Sequence, residues 1–324
     1  MSILKIKTDG DPFPAKAGTN LVNDGTTRLF NDGTSIQDQD NTFGGPVEYN
    51  IPYKGGRGGR ISNSSVILED SNEQVVNSDE LVGVAVNGVP IYSPTSDSLL
   101  DWVDGTVTSF AGNGWTWNLS GIGSAYAFDP CGGKPEGLTN EYRYRNGKFI
   151  LNGFEGNGEF TASSEYFRSN PFGGSSVTRH GAVEYDGVTF TAGHSKIIGW
   201  ALDGFPIYGP YGFENPTDPT STIEIMRSAY SFTAPVGEES NRPSYVDYPQ
   251  GAFKEDYEFR ADNSFATLDR FNGRYCITPD FMQGTYAYFL TFSDGSTSAL
   301  SPSLPSTPAY PYIVGESTRE QRSR

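Results

Sequence analysis

The sequence predicts an all-β fold. Three observations carry this. Gly 39 and Pro 21 make up nearly a fifth of the 324 residues, which leaves little room for long helices. Aromatic residues reach 14%, with Phe 21, Tyr 19 and Trp 4, enough to supply the buried area of a core otherwise poor in apolar side chains. The apolar residues fall in short or alternating runs bounded by turn residues, the pattern of strands.

The elements follow in chain order. Residues 1–60 form a block rich in Gly, Asn, Asp and Thr, read as an N-terminal arm or small β subdomain. Asn23-Asp24-Gly25-Thr26 recurs as Asn31-Asp32-Gly33-Thr34 around Leu29-Phe30. Asn/Asp-Gly supplies the positive φ of tight turns, so this stretch predicts a hairpin or two consecutive turns. It lacks the D-x-D-x-D-G run of a calcium loop. Gly55 to Arg60 reads G-G-R-G-G-R, without the Lys-Ser/Thr of a phosphate loop, and predicts a flexible connector.

Residues 61–300 form the main body. Strands are expected at Ser65–Leu68, Leu81–Val86, Lys148–Leu151, Val188–Thr191, Lys196–Trp200 and Thr285–Phe292. Thr222–Tyr230 fits a short helix or a strand. Asp97–Val103 fits one or two helical turns capped by Ser96. Leu81–Pro94 and Ile197–Pro210 repeat each other, with Gly83/Gly199, Ala85/Ala201, Gly88/Gly204, Pro90/Pro206, Ile91/Ile207, Tyr92/Tyr208 and Pro94/Pro210 identical. Each copy reads as a strand, an Asn/Asp-Gly turn and an extended exit fixed by Pro. Two equivalent hairpins in one domain are the simplest reading, since two separate small domains would each have little core.

Residues 301–324 carry Pro302, Pro305, Pro308 and Pro311 at every third position, which favours an extended run. This predicts a Pro-rich C-terminal arm that is too poor in apolar residues to stand alone and is held by a neighbouring chain.

Charge excludes several functions. Asp+Glu 39 against Lys+Arg 23 gives −16, so a broad nucleic-acid-binding face is not expected, and anionic membranes are disfavoured. No apolar run reaches a membrane span, and the first residues, with Asp9 and Asp11, do not read as a secretory signal. Cys131 and Cys276 allow at most one disulfide; two free thiols are the expected state. With only His180 and His194, a three-histidine zinc site within one chain is ruled out. There is no G-x-S-x-G elbow and no H-E-x-x-H. No cofactor or metal is expected.

Three segments together resemble the YHYH-domain family. The first runs from Asp129-Pro-Cys131-Gly-Gly-Lys-Pro to Tyr142-Arg143-Tyr144-Arg145. The second runs from His194 through Gly199-Trp-Ala-Leu-Asp203-Gly-Phe-Pro-Ile-Tyr208-Gly-Pro210. The third is Leu268-Asp269-Arg-Phe-Asn-Gly-Arg274, then Thr278-Pro-Asp280 and Gly284–Phe289. The resemblance covers roughly residues 80–295. It implies a single sandwich-like antiparallel β domain and marks Asp129, Cys131, Tyr142, Arg143, Tyr144, Arg145, His194, Asp203, Tyr208, Asp269 and Arg274 as motif residues. The signature's two histidines are Arg143 and Arg145 here, and Gly-Gly-His is Gly-Gly-Lys134. Arginine stays protonated and offers only donors, so these positions point to structure rather than to metal or proton chemistry.

The resemblance extends to virion structural proteins of tailed bacteriophages, marine ones included. The expectation is a non-enzymatic tail or baseplate protein, made in the host cytoplasm and located in the virion. Its partners would be other virion proteins and copies of itself, joined through terminal arms. Two other functions stand beside it. One is a host-surface carbohydrate-binding module using Trp102, Trp115 or Trp117, against the plainer reading that these rings fill the core. The other is a metal-dependent hydrolase.

Overall fold

The computed structural model describes residues 47–62, 65–68, 71–86, 89–96, 117–120, 179–235, 242–246, 248–264, 267–293 and 308–322. It also describes strands 3–8, 27–29, 35–37, 98–100, 107–109, 133–136 and 141–144. Among these residues the fold is all-β, interrupted only by a single 3₁₀ turn at Lys254–Asp256.

Eight strands make the central sheet: β1 Leu81–Ala85, β2 Pro90–Tyr92, β3 Gly133–Glu136, β4 Glu141–Tyr144, β5 Ile197–Ala201, β6 Pro206–Tyr208, β7 Gly273–Cys276 and β8 Thr285–Phe289. Their order is β3-β4-β2-β1-β5-β6-β8-β7. This order is a palindrome of two four-strand halves. The repeated hairpins β1–β2 and β5–β6 meet at the centre through antiparallel β1 and β5, with Val84 opposite Trp200. Each hairpin has a register shift at the same place, between Leu81 and Gly83 and between Ile197 and Gly199. Outside each hairpin lies a parallel join, Ile91 to Tyr144 on one side and Ile207 to Tyr288 on the other. The outermost pairs are again equivalent, with Gly133 opposite Tyr144 and Gly273 opposite Tyr288. The expected antiparallel sheet therefore contains two parallel joins. They arise because each half returns to its hairpin by a long connection.

The remaining strands form two-stranded pairs around this sheet. Strands 27–29 and 35–37 are antiparallel, as the Asn-Asp-Gly turns predict. Ile3–Thr8 pairs with Val47–Pro52, and Ile51 is buried with Val84 and Leu202, so this strand pair packs on the body. The expected strands at 65, 81, 188, 196 and 285 are all present; Lys148–Leu151 lies outside the described residues. Ile223–Ile225 is a strand, because Ile223 and Ile225 face the core around half-exposed Glu224. Ser98–Leu100 pairs with Val107–Ser109, so the helical turns expected over Asp97–Val103 give way to a strand. The local capping signal there is weaker than cross-strand pairing.

Two expectations about connectors are corrected. The Gly-rich stretch is packed, not loose: the Gly56 amide donates to Thr285 Oγ1 at 3.0 Å and the Tyr286 amide to the Arg57 carbonyl at 2.8 Å. At Gly58, φ is +87° and a Cβ would lie 2.6 Å from Tyr286 Cβ, so glycine is what permits the close approach. The second correction concerns the C-terminal arm. Over 308–322 the chain closes on its own body. Tyr310, Tyr312, Ile313 and Val314 are buried in the main core. The Thr291 amide donates to the Tyr312 carbonyl, and Ser317–Thr318 pairs with Gln74–Val75. The proline spacing predicts an extended run, but residues 310–313 turn back on themselves, with the Tyr312 amide donating to the Ala309 carbonyl at 2.8 Å, and the Tyr-Ile-Val residues supply enough apolar area to dock the turn; Pro302 and Pro305 lie outside the described residues.

Candidate functional site

Two polar clusters form at the second half of the sheet. The first lies beneath the C-terminal segment. Asp203 occupies the β5–β6 turn and is fully buried. Its Oδ2 accepts the Tyr288 hydroxyl at 2.6 Å and the Glu320 amide at 3.2 Å; Oδ1 accepts the Phe205 amide at 3.4 Å. Asp269 precedes β7. Its Oδ1 accepts the Phe271 and Gly273 amides, and both its oxygens lie 3.0 Å from the Tyr286 hydroxyl. The Arg319 amide donates to Tyr288 Oη at 2.8 Å, and the Arg319 guanidinium lies 4.8 Å over the Tyr286 ring. Burial outweighs these hydrogen bonds and pushes both carboxyl groups up to about 6. Burial, reinforced by the neighbouring carboxylates, also lifts both tyrosine hydroxyls well above their usual range.

The second cluster gathers His180, His194, Tyr208, Arg274, Cys276, Thr278 and Asp280. Tyr208, at the end of β6, donates to Asp280 Oδ2 at 3.0 Å and shares a 2.9 Å bond with Thr278 Oγ1. His180 Nε2 meets the same Asp280 oxygen at 3.1 Å. Burial works against the Asp280 charge, but the His180 and Tyr208 bonds win and hold the carboxyl below its ordinary value. His194 is buried among Tyr208, Phe213 and Phe289; its Nδ1 lies 2.7 Å from the Ser195 carbonyl. Burial drives its pKa down to about 3, so the ring is neutral. Its Nε2 has no hydrogen-bond partner among the described residues and lies in an aromatic shell. Arg274 donates to the Phe213 carbonyl and sits 5.6 Å over the Phe289 ring. Cys276 is a buried free thiol beside it.

The motif residues thus divide. Asp203 and Asp269 join the first cluster; His194, Tyr208 and Arg274 join the second. Tyr144 is buried in the core, in the place on its own half that Tyr288 holds on the other. Tyr142 and Arg143 lie on β4, whose side chains other than Tyr144 are outside the described residues, as are Asp129, Cys131 and Arg145. Trp117 packs edge-on against Phe253 in a small core, as the plainer reading of that ring expects; Trp102 and Trp115 lie outside the described residues.

Residue-level reading missed Tyr286, Tyr288, His180, Asp280 and Arg319 as site members. A second, fainter repeat could have found the tyrosines. Asp129, Gly133-Lys134 and Tyr142-Arg143-Tyr144 correspond to Asp269, Gly273-Arg274 and Tyr286-Ala287-Tyr288, and the two strand pairs share one register.

Chemically, the first cluster is closed: its carboxylates, hydroxyls and amides bond to one another beneath residues 316–322. The second reaches the surface at His180 and Asp280, and Asp280 lines an open cavity of about 340 Å³. Among the described residues, no three His, Cys, Asp or Glu side chains converge as metal ligands, and no helix is long and apolar enough to cross a membrane.

A family model described as YHYH protein matches residues 65–298. No curated protein and no solved structure matches the chain.

Proposed function

The chain belongs to the YHYH protein family over residues 65–298, and from that premise we propose that it is a non-catalytic structural protein, a rigid β block that works within a larger assembly. We assign that assembly to a tailed phage particle, at the tail or baseplate, on the resemblance of the motif segments to virion proteins of such phages. One observation carries the structural reading. The motif carboxylates Asp203 and Asp269 are consumed by Tyr288, Tyr286 and backbone amides beneath the chain's own C-terminal segment. Carboxylates so bonded hold elements together, and Asp203, fully buried, has no access to a substrate.

The docking of residues 308–322 changes how assembly would work. That segment is already committed to its own body, so contacts with neighbouring subunits fall to other surfaces. The strongly acidic balance supports selective contacts, because it keeps copies apart unless a specific interface brings them together. Immunogold labelling of particles purified from the source of this chain tests the reading. Decorated tails or baseplates are the expected result. Particles without label, or saturable turnover of ester, phosphate or glycoside substrates by the pure chain, would overturn it.

A further inference from the structure

The structure assigns a second role to the open cavity beside Asp280: we propose that it is a binding site for a neutral sugar ring. The cavity, about 340 Å³, is of the size that holds a small ligand. Its floor and walls include Asp280, Tyr185, Phe281 and Gln283. Gly56 and Gly284 add no side chains of their own.

The polar groups of the lining offer both functions that a diol needs. Asp280 receives both of its hydrogen bonds, from Tyr208 and His180, on Oδ2. These two bonds fix the carboxylate, while Oδ1 carries no hydrogen bond from the described residues and accepts from a ligand hydroxyl. Tyr185 is 40% exposed, and its oxygen accepts from the Gln283 side-chain amide at 3.4 Å. That leaves the Tyr185 hydroxyl proton to donate. An acceptor and a donor on one cavity match adjacent sugar hydroxyls, each of which both gives and takes a hydrogen bond. The Tyr185 and Phe281 rings supply apolar faces for the C–H side of a pyranose. The acidic surface, at −16, disfavours anionic sugars, which narrows the ligand to neutral ones. This site is independent of the particle assignment, and a protein with a purely mechanical role has no need of it.

The test is saturation-transfer difference NMR on the full chain with a panel of neutral mono- and disaccharides, with tetramethylammonium as a competing probe of the aromatic-carboxylate pair. At least one neutral sugar should show saturable transfer. Tyr185→Phe keeps the ring and removes the donor; it should weaken that sugar about fivefold or more, the effect of one lost hydrogen bond. Asp280→Asn should weaken it further, while Tyr185→Phe leaves the unfolding midpoint unchanged. Three results would overturn the site: no sugar bound, sugar bound equally by both variants, or binding of tetramethylammonium alone.

Discussion

Gly83 and Gly199 hold equivalent positions across the central seam: a Cβ on Gly83 would lie 2.8 Å from the Trp200 carbonyl oxygen, and one on Gly199 would lie 2.8 Å from the Val84 carbonyl oxygen. Beyond those oxygens the next atoms also correspond, Ile207 Cδ1 for one and Ile91 Cδ1 for the other, both at 3.2 Å. The two hairpins meet so closely because neither brings a side chain to these points.

Equivalent positions predict equal penalties. Gly83→Ala and Gly199→Ala should each cost about 1–3 kcal/mol, the usual range for overpacking a tight contact. Urea denaturation of both variants checks this. Widely different penalties, or none, would contradict the two-fold arrangement of the sheet.

The buried carboxyl groups set a pH dependence. Burial raises the Asp203 carboxyl from its ordinary 3.8 to about 6 in the fold, so the fold favours the protonated form. Its stabilising effect is complete below pH ~4 and is lost as pH rises through about 6. Asp203→Asn, always neutral, should therefore be more costly relative to the parent at pH 4.5 than at pH 7.5. The difference should be on the order of 2 kcal/mol, at ~1.4 kcal/mol per pKa unit. Paired urea titrations at the two pH values measure it, and equal penalties would refute the assignment.

His194 runs the other way. It stays neutral in the fold down to about pH 3, against an ordinary 6.5. Its contribution is present above pH 6.5 and is lost as the pH falls toward 3. A neutral isostere, His194→Gln, should flatten that acid loss if it folds. An unchanged acid limb in its stability profile would show that His194 does not titrate as a buried neutral ring.

Arg242 and Asp256 make the best-formed buried ion pair. Arg242 Nε meets Oδ1 and Nη2 meets Oδ2, each at 2.8 Å, with both side chains almost fully enclosed. Asp256 also accepts the Gly251 and Phe253 amides. Arg242→Ala leaves that carboxylate buried without its cation and should cost about 3–5 kcal/mol in thermal or urea unfolding. A loss under ~1 kcal/mol would show that the pair is solvated in solution.

The fold was readable where a local pattern and a long-range contact agree. The Leu81–Pro94 and Ile197–Pro210 repeat predicts two hairpins, and they form the centre of the sheet. That they pair with each other was not readable, because pairing depends on the surfaces each hairpin presents and not on either sequence alone. Tyr310-Pro-Tyr-Ile-Val314 shows the opposite case. Its prolines argue for extension and its aromatic and aliphatic residues for burial; the burial holds, in the chain's own core, while residues 310–313 form a turn in place of the extended run. The sites divide in the same way. Asp203 and Asp269 stood out as motif residues, whereas their partners Tyr288 and Arg319 come from strand and tail positions far away in sequence. His180, which the sequence offers only as one of two histidines, becomes a site member because Asp280, a hundred positions later, reaches it.

The account rests on the C-terminal segment and the Asp/Tyr pairs holding one body together. Urea denaturation of a chain ending at Gly315 tests this most directly. That chain loses the Glu320 and Arg319 amides that bond Asp203 and Tyr288, and the strand pairing with Gln74–Val75. It should remain folded but be less stable by roughly 2–6 kcal/mol, at ~1 kcal/mol per lost hydrogen bond plus the cost of the exposed partners. A truncated chain that unfolds at the same urea concentration as the full one would contradict it.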